Sequence, residues 1–136
     1  MNESAEKTVL RQFPYGLYVV TVMSEGEDHA ITATWVMQAA FTPPMVVVAI
    51  QNESKSLPMI RDARAFAINV LAVGQRELAQ QLGRSSQHSP PKLRGVATRP
   101  APTTGAPIRT DGLGWLECRL VATTPSGDHA LVLGEV

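Results

Sequence analysis

Six consecutive apolar residues, Met45-Val-Val-Val-Ala-Ile50, stand between Phe41-Thr-Pro-Pro44 and the polar stretch Gln51-Asn-Glu-Ser-Lys-Ser56. The run is too short for a membrane span, and prolines precede it. Being apolar at every position, it predicts a central strand buried on both faces. Ten glycines and ten prolines punctuate the chain, so the elements around that strand read as further short strands rather than a helical bundle. With 136 residues, 44% of them hydrophobic, the expectation is one domain around one core.

Residues 1–12 read as a polar N-terminal lead-in, and 13–136 as the domain. Strands are expected over 15–23 and 29–34, joined antiparallel through Glu25-Gly-Glu-Asp28, then over 45–50, 65–71, 115–122 and 129–136. The segment 35–40 is short and mixed and reads as a connection. Ser56 before Leu57-Pro-Met-Ile60 has the pattern of a helix cap with proline in the first turn. Leu78, Ala79 and Leu82 share one face of a second helix that stops at Gly83. From Gly83 to Pro107 the Ser/Pro/Thr/Gly-rich composition predicts a long connection, of the kind that covers a ligand edge or a partner subunit. Six strands and two short helices predict a small barrel, closed because closure removes vulnerable edges. The chain ends in the strand-like Gly134-Glu-Val136, which leaves two readings: the last strand is the terminus, or a C-terminal segment is missing.

Twelve basic and twelve acidic residues balance, so no global field draws the protein to nucleic acid or anionic lipid. No apolar stretch approaches a membrane span, and Met1-Asn-Glu-Ser-Ala-Glu-Lys7 lacks the design of a secretory signal, so the expected location is cytoplasmic. The lone Cys118 supports neither a disulfide nor a multi-cysteine metal site, and its apolar neighbours predict an inert buried thiol. His29, His88 and His129 lack ligand spacing, so no metal is expected. A Gly-rich strand-to-helix loop and a Gly-x-Ser-x-Gly elbow are both absent, which argues against a Rossmann site, a P-loop and one class of serine hydrolase. Glu25, Glu27 and Asp28 read as turn residues rather than paired catalytic acids.

What survives is noncovalent binding of an anionic, largely aromatic ligand. Thr32 and Thr34 alternate onto one strand face, where their hydroxyls can flank a polar ring edge while Ile31 and Ala33 enter the core. Ser54 and Ser56, with open N–H groups at the following helix, can form an anion nest, and Lys55 can add charge. The plainer readings are two ordinary strand threonines, a serine cap and a solvated lysine.

Thr32-Ala-Thr34, Phe41-Thr-Pro-Pro44, Ser54-x-Ser56, Phe66-Ala-Ile-Asn69 and Gly127-Asp-His129, taken together and in order, resemble the flavin reductase-like, FMN-binding split-barrel family over roughly residues 13–136. The resemblance implies a mainly β fold, a six-stranded antiparallel Greek-key split barrel with short helices, usually homodimeric with flavin near the subunit interface. It implies an NAD(P)H:flavin oxidoreductase using FMN, with FAD as the alternative, reduced by NADH or NADPH and supplying reduced flavin to an oxygenase. A noncatalytic FMN electron carrier and a flavin-free interaction module are the other readings. By the same resemblance Thr32, Ala33, Thr34 and Trp35 lie along the isoalloxazine, Ser54 and Ser56 hold its phosphate with Asn52 and Lys55 beside them, and Asn69 lies at a strand end near the flavin. His129 is the candidate catalytic residue, orienting the reduced nicotinamide. Departures from the family pattern are Ala30 where a glycine is common, Asn52 where a basic residue is frequent, and Trp35 where a small polar residue is usual. For Trp35 core packing is the favoured reading over stacking on the flavin.

Overall fold

The computed structural model describes residues 3–83, 93 and 96–136. A helix α1 (Glu3–Leu10) precedes strands β1 (Tyr18–Ser24), β2 (Glu27–Ala33), β3 (Val36–Ala40) and β4 (Met45–Gln51). Helix α2 (Ser56–Ala63), β5 (Ala65–Val70) and helix α3 (Arg76–Leu82) follow. Two-residue strands β6 (Arg99–Pro100) and β7 (Pro107–Ile108) lead to the long β8 (Gly114–Ser126) and to β9 (His129–Glu135). Two hairpins turn through only two residues. At the first, Glu25 and Gly26 both take positive φ (52° and 79°), so Ser24 pairs with Glu27, as a turn matched to the right-handed strand twist requires. At the second, Gly127 (φ 62°) and Asp128 bring Ser126 opposite His129.

Seven strands form one sheet in the order β2-β1-β5-β8-β9-β4-β3, and β6 pairs with β7 separately. Every pairing is antiparallel. The fold is mainly β with short helices, as expected, but the six-stranded closed barrel is not: the sheet has a seventh strand and stays open. β2 and β3 follow one another in the chain yet occupy its two edges, and no ladder joins them. The seventh strand is the segment that read as a connection. It is only five residues long and carries a register shift between Gln38 and Ala40; a short, bulged strand blunts an edge without closure.

The core lies inside the curl, where Val20, Val22, Val46, Val48, Ile50, Phe66, Ile68, Cys118, Ala130 and Val132 meet Leu57, Met59 and Ile60 of α2. The apolar run of β4 alternates in burial rather than being buried on both faces. Val46, Val48 and Ile50 fill the core, while Val47 and Ala49 look out the other way. A second cluster joins Val19 and Ala30 to Ala79 and Leu82 of α3. Within the expected 83–107 connection, residues 84–92 and 94–95, with His88 and the Pro90-Pro91 pair, lie outside the described residues. The portion 99–108 is not a loose loop, since Ala101, Ala106 and Ile108 pack with Ala67 in a third cluster. Residues 3–10 of the polar lead-in are helical with none of them buried.

Cys118 is buried, and burial, with a smaller contribution from the charge of Glu117, pushes its thiol up to about 12. An inert thiol is the consequence. Phe66 is fully buried and its ring lies over Gly134, where a Cβ would sit 2.5 Å from the ring and 3.0 Å from the Cys118 Cβ. Replacing Gly134 by Ala is therefore overpacking in a site that cannot yield. The variant is expected to lose about 1–3 kcal/mol, read as a lowered urea midpoint at unchanged slope.

Candidate functional site

An apolar groove of about 440 Å³ opens on the outer side of the sheet, lined by Tyr15, Thr34, Trp35, Met37, Val47, Ala49 and Leu131 among others. Its floor follows from strand periodicity. Val47 and Ala49 of β4 alternate away from the core, Met37 pairs with Val47, and Leu131 pairs with Ala49. A solvated outer face of an antiparallel sheet would carry polar side chains at these positions. Trp35, expected to pack in the core, instead stands at the groove with 47% of its surface exposed. Its backbone O accepts from the Ala49 N–H (3.0 Å), and its ring lies 6.3 Å from Tyr15 and 4.8 Å from His129, both tilted.

His129 and Trp35, separated by 94 positions in sequence, thus meet beside the groove that Trp35 lines. The His129 side chain is 15% exposed, and its Nδ1 lies 2.6 Å from Oδ1 of Asp128. A carboxylate can only accept, so this contact places a ring proton on Nδ1, and in the neutral imidazole Nε2 is then the acceptor. The turn carrying Asp128 is tied to the next loop by Asn52, whose N–H donates to the Asp128 O (2.9 Å) and whose Nδ2 donates to the Gly127 O (3.1 Å). Asn52 therefore joins the turn before His129 to the loop that leads into Ser54–Ser56.

That segment differs from the expected anion nest. Ser56 is the first helical residue and not the cap; it is fully buried, and its Oγ lies 2.6 Å from Nδ1 of His29. The N-cap position falls to Lys55, which makes no side-chain capping bond; one residue earlier, the Ser54 Oγ accepts from the Ser56 N–H (3.2 Å). The Ser54 and Leu57 N–H groups bond to Gln51 O and Ser54 O, and Pro58 has none. The Ser54 hydroxyl and the Lys55 ammonium are side-chain groups that this loop can present. Lys55 pairs with Glu27, whose carboxyl is held below its usual range by the Lys55 hydrogen bond and then by its charge.

Thr32 and Thr34 do not converge. β2 ends at Ala33, Thr34 reaches the groove, and the Thr32 hydroxyl donates to Ala79 O in α3. Ile31 and Ala33 enter the core, as the alternation requires. Asn69 is buried in the sheet, with Nδ2 donating to Val19 O (3.3 Å) and Pro107 O (3.5 Å) and Oδ1 accepting from Arg109 N (3.0 Å). Its amide clamps β1 and the β7 segment to β5. Tyr15, Met37, Val47 and Leu131 were not singled out in the sequence. The signal available for two of them was the excess of apolar residues in β4 and β9 over what one core-facing side needs.

Truncating Asn69 to Ala leaves the Arg109 N–H without its partner and weakens the β7 anchorage. A loss of about 1–3 kcal/mol in unfolding free energy is expected, and a urea midpoint unchanged from the parent would show that the clamp contributes nothing.

The flavin reductase like domain model matches residues 10–136. A 33% identical relative, the reductase component of 4-hydroxyphenylacetate 3-monooxygenase from Thermus thermophilus, aligns over 98% of this chain and 82% of its own length. Diflavin flavoprotein A 1 of Synechocystis is 31% identical over the whole of this chain, which spans 24% of that larger protein. Among solved structures, an NADH:FAD oxidoreductase from Streptomyces globisporus superposes with a TM-score of 0.89 at 26% identity, covering 99% of this chain and 80% of that one.

Proposed function

The chain belongs to the flavin reductase like domain family, and from that premise we propose that it is an NAD(P)H-dependent flavin oxidoreductase that transfers hydride to bound FMN or a related flavin. The observation that carries this reading is a chain of contacts: an apolar groove lined by Trp35, whose ring meets that of His129, and, through the turn before His129, Asn52 on the loop bearing Ser54 and Lys55. A flat apolar ring with an anionic tail has the matching chemistry. Bound flavin supplies the hydride-accepting chemistry that no amino-acid side chain possesses.

The protein's own residues bind and orient. Trp35 and Tyr15 offer aromatic faces, Thr34 offers a hydroxyl at the groove, and Val47, Ala49 and Leu131 exclude water. Ser54 and Lys55 face the phosphate, with Asn52 fixing their loop. Ala33, Thr32, Ser56 and Asn69 act from behind this surface, through the core, α3, His29 and the β7 segment respectively. His129, its proton held on Nδ1 by Asp128, presents Nε2 to accept from the nicotinamide carboxamide. No acid or base of shifted pKa is needed, because orientation of two rings is the main contribution a hydride transfer asks of a protein.

In an anaerobic stopped-flow experiment, NADH or NADPH is expected to bleach the flavin bound to this protein. His129→Ala is expected to slow that step by about ten- to a hundredfold with flavin affinity held. Failure of both nicotinamides to reduce the flavin would reject the enzyme reading. Similarity to a diflavin protein favours an electron carrier as the second reading; reduced flavin retained and passed to a protein acceptor selects it, whereas release of reduced flavin selects supply to an oxygenase, as the name of the Thermus relative suggests.

The same outer face supports a homodimer. Met37 is 63% exposed beside the groove, and Leu131, Val47 and Ala49 extend that apolar surface; a second copy laid over it would close the open side of the site. Flavin binding would then be linked to assembly. Sedimentation of the flavin-loaded protein is expected to give twice the chain mass, and a strictly monomeric mass would overturn the arrangement.

A further inference from the structure

His29 is a buried imidazole that the hydride transfer does not use, and we infer that it is the positioning residue for the flavin phosphate loop. The inference rests on the reading of Ser54 and Lys55 as the phosphate-facing groups. His29 sits in β2 opposite Val22 of β1, so its backbone is fixed by the ladder, and its side chain is almost fully buried. Its Nδ1 meets the Oγ of Ser56 at 2.6 Å, and the Ser56 N–H donates to the Ser54 Oγ at 3.2 Å. The Ser54 hydroxyl is thereby two hydrogen bonds away from the sheet. With its oxygen accepting from Ser56, its proton is still available to an outside acceptor. Lys55, between the two serines, pairs with Glu27, which is two residues from His29 in the same strand.

Both phosphate-facing groups are thus referenced to β2, the strand that runs on into Thr34 and Trp35 at the groove. One rigid strand sets the separation between the segment expected to bind the ring and the loop expected to bind its tail. A ligand spanning that separation gains from having it fixed in advance, because ordering a free loop costs affinity. A ligand lacking the tail gains nothing from it. This distinguishes positioning from ordinary core filling: loss of the His29 contact should lower affinity for FMN and leave riboflavin, the same ring without phosphate, unaffected.

The test measures dissociation constants for FMN and riboflavin by flavin fluorescence, with thermal unfolding of each variant alongside. In the parent, FMN is expected to bind more tightly than riboflavin. His29→Leu, which fills the space without a hydrogen bond, should cut that preference about three- to tenfold, the range of one neutral hydrogen bond. Ser56→Ala should do the same from the other side, and the double variant should lose no more than either single one. His29→Asn, which keeps a polar atom near the position of Nδ1, should restore most of the preference. A folded His29→Leu, or Ser56→Ala if the leucine variant does not fold, that keeps the full FMN preference while Ser54→Ala loses it would overturn the role of His29 and leave the phosphate loop standing. Equal affinity of the parent for FMN and riboflavin would overturn the phosphate-loop reading and this inference with it.

Discussion

Between Ala33, the last residue of β2 on one edge of the sheet, and Val36, the first of β3 on the other, the chain has only Thr34 and Trp35 in which to cross. Three extended Cα steps span no more than about 11 Å, so the two edges of a seven-stranded sheet must approach one another at this corner. The sheet curls to permit it, and the curl is what encloses Phe66, Ile68, Val48 and Val132. The corner residues cannot join either ladder fully. Thr34 is left at the surface and the Trp35 ring is left standing at the groove, so this edge-to-edge connection and the groove coincide.

Around that corner the remaining site residues are placed by tethers of one kind, single side-chain hydrogen bonds to an adjacent segment. Asn52 holds the Gly127-Asp128 turn, His29 meets Ser56, and Thr32 reaches α3. None of these pairs is near in sequence. A site whose task is to align two planar rings needs this kind of fixity more than it needs charge. Beside it, Glu27 pairs with Lys55, and the Asp128 carboxylate meets Nδ1 of His129.

The family resemblance and the structure divide the candidate residues in an informative way. Thr34 and Trp35 line the groove, the His129 ring meets Trp35, and Asn52 ties the turn before His129 to its own loop. Thr32, Ser56 and Asn69 turn inward, each with its polar atoms committed to α3, His29 or the β7 segment. A short motif such as Thr32-Ala-Thr34 or Ser54-x-Ser56 therefore mixes a presenting residue with a supporting one. Alternation along an extended strand would have made the two threonines equivalent; the strand ends between them, and the equivalence ends with it.

The amino-acid sequence determined the local elements: six of the nine strands, helices α2 and α3, the glycine-containing hairpin at Glu25–Asp28 and the inert thiol, because period, turn chemistry and apolar runs act over a few residues. It also carried the family, because five motifs in order are a property of the chain itself. Tertiary structure decided the rest. Val36–Ala40 became a strand only because β4 offers it an edge, and Met45–Ile50 has one face in the core and the other on the groove only because the curled sheet has an outside. Whether the sheet closed was equally undetermined locally, since a bulge at Gln38 and brevity can protect an edge as closure does. The meeting of Trp35 with His129 and of His29 with Ser56 is long-range geometry, which no window of neighbouring residues contains.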